Sequence, residues 1–183
     1  MKKDITQTLV NEHRLILRMI DLLERNAPRT AAGDYKNWQF YLDGVDFIRN
    51  YADRFHHAKE EDVLFEALVA NGMPRANSPV AAMLMEHDHG RACVTAMETA
   101  AGRALAGAAG QGGVIAENAL AYAELLRGHI AKEDEILYPL AERVIPDSMR
   151  DDIIAGYAAA EARTAADFTG RYKQLVSAYE NES

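Results

Sequence analysis

The chain has one cysteine, Cys93, in 183 residues. A lone thiol excludes an internal disulfide framework and any site in which cysteines of one chain hold zinc or an iron–sulfur cluster. Proline is scarce, at five residues, and alternating β-branched runs bounded by turn residues are missing, so no sheet is expected. No stretch approaches the ~18 uninterrupted apolar residues of a membrane span. The charged N-terminal residues are not followed by an apolar run, so no signal peptide is expected. Basic charge is also short: 20 Lys and Arg face 28 Asp and Glu, for a formal net charge of −8. Nothing in that balance supplies a basic face for phosphates, which argues against nucleic acid as a partner. What remains is 49% hydrophobic and 26% charged, enough to bury a core of ordinary size. The expectation is a single-domain, soluble, cytoplasmic protein.

Alanine is abundant, and breakers divide the chain into five helical stretches. The first spans about 4–26 and is expected to end before Pro28. The second spans about 34–71, with Asp34 as its N-cap and Asn71-Gly72 as its stop. The third opens at Ser78-Pro79, a cap followed by proline at the first helical position, and fades toward Gly107. A glycine-rich loop leads to a fourth helix, about 113–144. A fifth spans about 147–179. Apolar residues such as Leu9, Ile16, Met19, Ile20 and Leu23 recur at helical spacing. These features predict an all-α, up-down four-helix bundle over about 4–145 with an additional C-terminal helix.

The chain also repeats itself. A shift of 73 residues lays the run His56-His57-Ala58-Lys59-Glu60-Glu61 on His129-Ile130-Ala131-Lys132-Glu133-Asp134. Glu12-His13 matches Glu86-His87 in the same way. Each of the four helices therefore carries a histidine at a corresponding place, the arrangement expected around a pseudo-twofold axis.

Residues four apart on an α-helix differ by about 40° in direction and ~6 Å in rise. His56 and Glu60 thus share a face, as do His129 and Glu133. An imidazole and a carboxylate one turn apart can hold one metal, or the carboxylate can bridge to a second. Nitrogen and oxygen donors without thiolate suit iron, manganese or zinc and do not choose among them. Counted together, His13, His56, His57, His87 and His129 with bridging Glu60 and Glu133 and one oxo or hydroxo group fill all but one position of two six-coordinate metals. One open position suits reversible binding of a small ligand such as dioxygen. Without His57, two positions are open. A register shifted to His57 and Glu61 has the same spacing, and the repeat favours His56 and Glu60. His57 then sits about 100° round the helix, either an extra ligand or a polar neighbour. His89 is about 200° from His87 and is expected to face away.

These segments resemble the hemerythrin-like, or HHE cation-binding, family. The resemblance spans about residues 5–145 and rests on Glu12-His13-Arg14, His56 to Phe65, Glu86 to Arg91, and His129 to Pro139. It implies a four-helix bundle around a non-haem di-iron centre with a bridging oxygen and bridging carboxylates. His13, His56, Glu60, His87, His129 and Glu133 become its ligands. Oxygen-carrying members have a further histidine four residues after the one on helix three. Here that place is Arg91, and His57 on another helix is the candidate replacement. The extra cysteine-bearing domain of the iron–sulfur repair members is not expected here.

Three functions are compatible with this reading. The first is a di-iron protein that binds dioxygen or a related small ligand for sensing, storage or stress protection. The second is a redox enzyme consuming peroxide or nitric oxide at the same centre. The third is a metal-free helical interaction module. Tyr122, seven residues before His129, is either a hydrogen-bond donor behind the site or an ordinary seam residue. Cys93 reads as a small buried hydrophobe. The run Asp134-Glu135 reads as solvated. Tyr157, Phe168 and Tyr172 either pack the fifth helix on the bundle or present a surface for a homodimer.

Overall fold

The computed structural model describes residues 2–182. Helix α1 is Gln7–Ala32. Helix α2 begins as Trp38–Phe47, winds more widely in π-helical turns at Ile48–His57 and Glu60–Leu64, and ends as Phe65–Ala70. Helix α3 is Pro79–Leu105. Helix α4 runs from Gly112–Lys132 through a π-turn at Glu133–Leu137 into Tyr138–Val144. Helices α5, Asp147–Glu161, and α6, Phe168–Glu180, complete the chain. Consecutive helices of the first four pack side by side and α4 returns to α1, which closes the expected up-down bundle. Among the described residues there is no strand.

Three boundaries differ from the sequence reading. Helix α1 does not stop before Pro28 but carries it just before its last turn and ends at Gly33, whose φ of 85° suits glycine. Ala27 and Thr30 are buried there, and the Thr30 and Tyr41 hydroxyls share a hydrogen bond of 2.7 Å. That packing outweighs the missing N–H of the proline. Helix α2 is capped by Asn37 rather than Asp34, its side chain accepting from the Phe40 N–H at 3.2 Å. Ser78 does cap α3, accepting from the Ala81 N–H at 3.2 Å. The fifth helix is broken at residues 162–167. The break lets α6 lie on α1 while α5 crosses the π-turn of α2. Gly156 makes that crossing close, since a Cβ there would stand 2.9 Å from Val63. Tyr157 and Tyr172 are buried against the bundle.

The core is split in two. One apolar cluster includes Leu15, Ile16, Phe55, Val94, Met97 and Leu126. The other includes Leu9, Leu64, Leu68, Met83, Leu137 and Tyr138. On each bundle helix the residues between the clusters are the histidines and glutamates of the repeat. The sequence therefore builds a polar layer at the waist of the bundle, held dry by apolar packing on both sides.

Candidate metal centre

All seven predicted residues meet in that layer. His13, His56, His57, Glu60, His87, His129 and Glu133 are buried, with the two glutamates at 0% exposure. They form two sets of converging donor atoms: His13, His56, Glu60 and Glu133 in one, and His57, His87, His129 and Glu60 in the other. Glu60 belongs to both sets. Glu133 also spans them, with one carboxylate oxygen 3.3 Å from His13 Nε2 and the other 3.1 Å from His129 Nε2. The repeat appears in the backbone as well, because the π-turns that begin at Glu60 and Glu133 occupy matching places. Such turns are frequent at functional sites. His89 is exposed, and Cys93 is half-buried against the core.

Four of the imidazoles are aimed from behind by carboxylates. His13 Nδ1 donates to Asp134 at 2.9 Å and His87 Nδ1 to Glu61 at 2.7 Å. His56 Nδ1 donates to Glu12 and His129 Nδ1 to Glu86, each at 2.9 Å. An ionised carboxylate only accepts, so the proton sits on Nδ1 and the Nε2 lone pair points inward. Lys59 and Lys132 in turn bind Glu12 and Glu86. Glu61 and Asp134 thus lie behind the histidines, and Glu60 rather than Glu61 converges with His56 on the centre. Asp134 was expected to be solvated with Glu135; only Glu135 is exposed.

His57 reaches the second set through the π-winding of α2, its ring stacked on His87 with centroids 3.8 Å apart. Asp53 stands 3.4 Å from His57 Nδ1 and is held by Arg91 at 2.7 Å. Arg91 also binds Glu61 at 2.8 Å. The arginine in the place of the oxygen carriers' histidine therefore tightens the outer ring. A cavity of about 150 Å³ adjoins this half, lined in part by His57, His87, His129, Val94, Tyr122 and Leu126. Its wall is mixed, with Arg49, Asp53 and Arg91 beside the apolar side chains, and it has room for a small ligand. Tyr122 lies in its wall, and its buried hydroxyl has no hydrogen-bond partner among the described residues.

The charges at the centre call for a cation. His13 and His56 face each other Nε2 to Nε2 at 3.0 Å, and so do His87 and His129. Two inward lone pairs at that distance repel unless something positive lies between them. In the first pair a proton on His13 is favoured in that place. Burial opposes the charge on His13, yet Asp134 and Glu133 raise its pKa to about 9. His56 is pushed well below the ordinary value by burial and by the charge on His13. His57 falls to about 4 through burial, partly offset by Asp53. Burial and the neighbouring Glu133 push Glu60 well above the usual carboxylate range. Glu133 is held well below that range, against its burial, by His129 and His13. Glu60 Oε2 and both oxygens of Glu133 lack a hydrogen-bond partner among the described residues. Buried carboxylate oxygens without donors, ringed by imidazole lone pairs, are what metal ions satisfy. The donor set fits a pair of ions.

Lys59, Lys132 and Tyr138 were not singled out from the sequence, and Glu12, Glu86, Glu61 and Asp134 were given no supporting role behind the histidines. The repeat held a signal for several of them: Glu12 and Glu86 directly precede matched histidines, and Lys59 and Lys132 directly precede matched glutamates. Tyr138 is buried and donates its hydroxyl to Glu60 Oε1.

A paired histidine and carboxylate layer at the waist of an up-down bundle defines a cation-binding helical bundle protein. The hemerythrin HHE cation binding domain matches residues 4–141, and the chain belongs to that family. Helices α5 and α6 lie beyond the matched region. No curated protein and no solved structure matches the chain. Among the described residues no helix is long and apolar enough to cross a membrane.

Proposed function

We propose that the chain holds two non-haem irons, bridged by Glu60, Glu133 and an oxo or hydroxo group, and binds dioxygen or a related small ligand there. The observation that carries the reading is the sharing of both carboxylates between two histidine sets. Nitrogen and oxygen donors also suit manganese and zinc, and the family resemblance selects iron. When bound, a di-iron pair supplies electrons and open coordination for a small ligand.

The protein supplies the rest. His13 and His56 would hold one ion, and His57, His87 and His129 the other. Asp134, Glu12, Glu61 and Glu86 hold the Nδ1 protons, so four of the five rings keep one tautomer and one direction. The apolar clusters above and below exclude bulk water, which strengthens every electrostatic contact in the layer. The cavity beside His57 gives a small molecule space next to the centre.

Metal analysis of aerobically purified protein, with its near-ultraviolet and visible spectrum, tests the reading. About two irons per chain with oxo-bridge absorption are expected, together with a reversible spectral change when the reduced form meets dioxygen. His129→Ala is expected to lose iron. Unchanged metal content in that variant, or no uptake of ferrous iron by the wild type, would sink the assignment. Rapid destruction of added peroxide would instead make the protein a redox enzyme.

A further inference from the structure

Among the residues that face the centre, the two halves differ at two places. Glu12, His13, His56, Lys59, Glu60 and Glu61 correspond to Glu86, His87, His129, Lys132, Glu133 and Asp134, and their hydrogen bonds correspond too. The first break is His57, which pairs with Ile130 in the repeat and gives one half a third imidazole. The second is Tyr138, which pairs with Phe65.

The rings of these two aromatic residues do the same packing. Tyr138 stacks beside His13 with centroids 5.6 Å apart and Phe65 beside His87 at 6.2 Å. Only the hydroxyl differs. Burying a hydroxyl is unfavourable unless it is used, and phenylalanine shows that packing does not require it. Tyr138 is 1% exposed. Its oxygen donates to Glu60 Oε1 and lies 3.4 Å from His13 Nε2. It therefore stands against the half with only two imidazoles, the half left with room for an additional donor atom. A second buried hydroxyl in the same cluster, Tyr157 of α5, has no partner among the described residues.

Resting on the two-ion reading above, we propose that Tyr138 is a positioning residue for an external ligand on the His13–His56 half, donating a hydrogen bond to a small ligand that carries a lone pair or negative charge. Without ligand the hydroxyl rests on Glu60. A hydrogen bond to a charged acceptor inside a dry layer is stronger than one in water, so it retains the ligand and slows its release.

The test uses azide as the probe. Tyr138→Phe installs the residue that already packs in the other half, so fold and metal content should be kept. Iron-loaded wild type and variant are titrated with azide and followed by absorption, with release measured by stopped flow. The variant is expected to bind azide at least about tenfold more weakly, through faster release. Phe65→Tyr adds a hydroxyl beside the three-imidazole half and is expected to leave azide affinity unchanged. Equal affinity and release in wild type and Tyr138→Phe would overturn the proposal. So would a phenolate-to-iron band that vanishes in that variant, since Tyr138 would then be a ligand itself. Loss of iron in Tyr138→Phe would also overturn it, by making the hydroxyl a support for Glu60. A wild type that takes up no metal overturns the two-ion reading and this proposal together; identical azide binding in loaded proteins overturns this proposal alone.

Discussion

Lys59 and Lys132 make the same ion pair in the two halves of the repeat, yet the Lys59 side chain is 0% exposed and that of Lys132 is 44% exposed. The difference comes from outside the repeat. Glu161, at the end of α5, binds Lys59 at 3.1 Å, and the ammonium also lies 3.8 Å above the Phe55 ring. Glu12 sits in the same dry pocket, its pKa raised to about 7 by burial against the pull of Lys59.

This contrast predicts unequal consequences for one substitution made twice. Lys59→Ala leaves Glu12 buried without its cation and is expected to destabilise the metal-free protein by about 3 kcal/mol. Lys132→Ala removes a half-exposed pair and should lower stability by about 1 kcal/mol or less. Urea denaturation of both variants measures the difference. Equal losses would mean that α5 does not isolate Lys59 from water.

His57 makes the two donor sets unequal in histidines. His57→Ala is expected to retain one ion per chain and to weaken the second by tenfold or more. Metal analysis after desalting gives the ratio. Full retention of two ions would show that the ring stacked on His87 is a neighbour and not a ligand.

The cavity beside His57 is expected to be the entry path. Val94→Phe fills part of it at about 1–3 kcal/mol of overpacking cost. Azide association with the iron-loaded variant should slow about fivefold or more, while affinity at the centre changes little. Association at the wild-type rate would place the route elsewhere.

Acid sensitivity is expected at the start of α1. The Asp4 carboxylate accepts from the Thr6 N–H at 2.9 Å and the Gln7 N–H at 2.8 Å. Its burial is unfavourable for the charge, but these N–H groups hold its pKa below the usual value. A depressed carboxyl contributes stability above its unfolded pKa and loses it as pH falls through the folded value. Asp4 is exposed, so solvent screens its charge, and Asp4→Ala should cost about 0.5 kcal/mol near pH 6 and much less near pH 2. A pH-independent difference would assign the effect to packing.

The sequence made the bundle and its inward residues legible for a simple reason. Regular α-geometry carries His56 and Glu60, or His129 and Glu133, to one face wherever they occur, and the repeat supplied their counterparts. Winding was less legible. Nothing in Ile48–His57 distinguishes a π-turn from an α-turn by residue type, so the final direction of His57 stayed open. Partners from distant helices were hidden as well. Asp134 looks like a surface charge until α4 is laid against α1, where it meets His13. Pro28 misled because a local rule was overruled by the tertiary packing of Ala27 and Thr30.

The duplicated helix pair has a consequence for how the centre can vary. Two separate identical pairs assembled around a twofold axis would show every substitution twice. Joined in one chain, each pair is free to differ alone. Ile130 can stand opposite His57, and Phe65 opposite Tyr138, without disturbing the bonds the halves share. Covalent linkage thus turns a symmetric vessel into one with a left and a right hand.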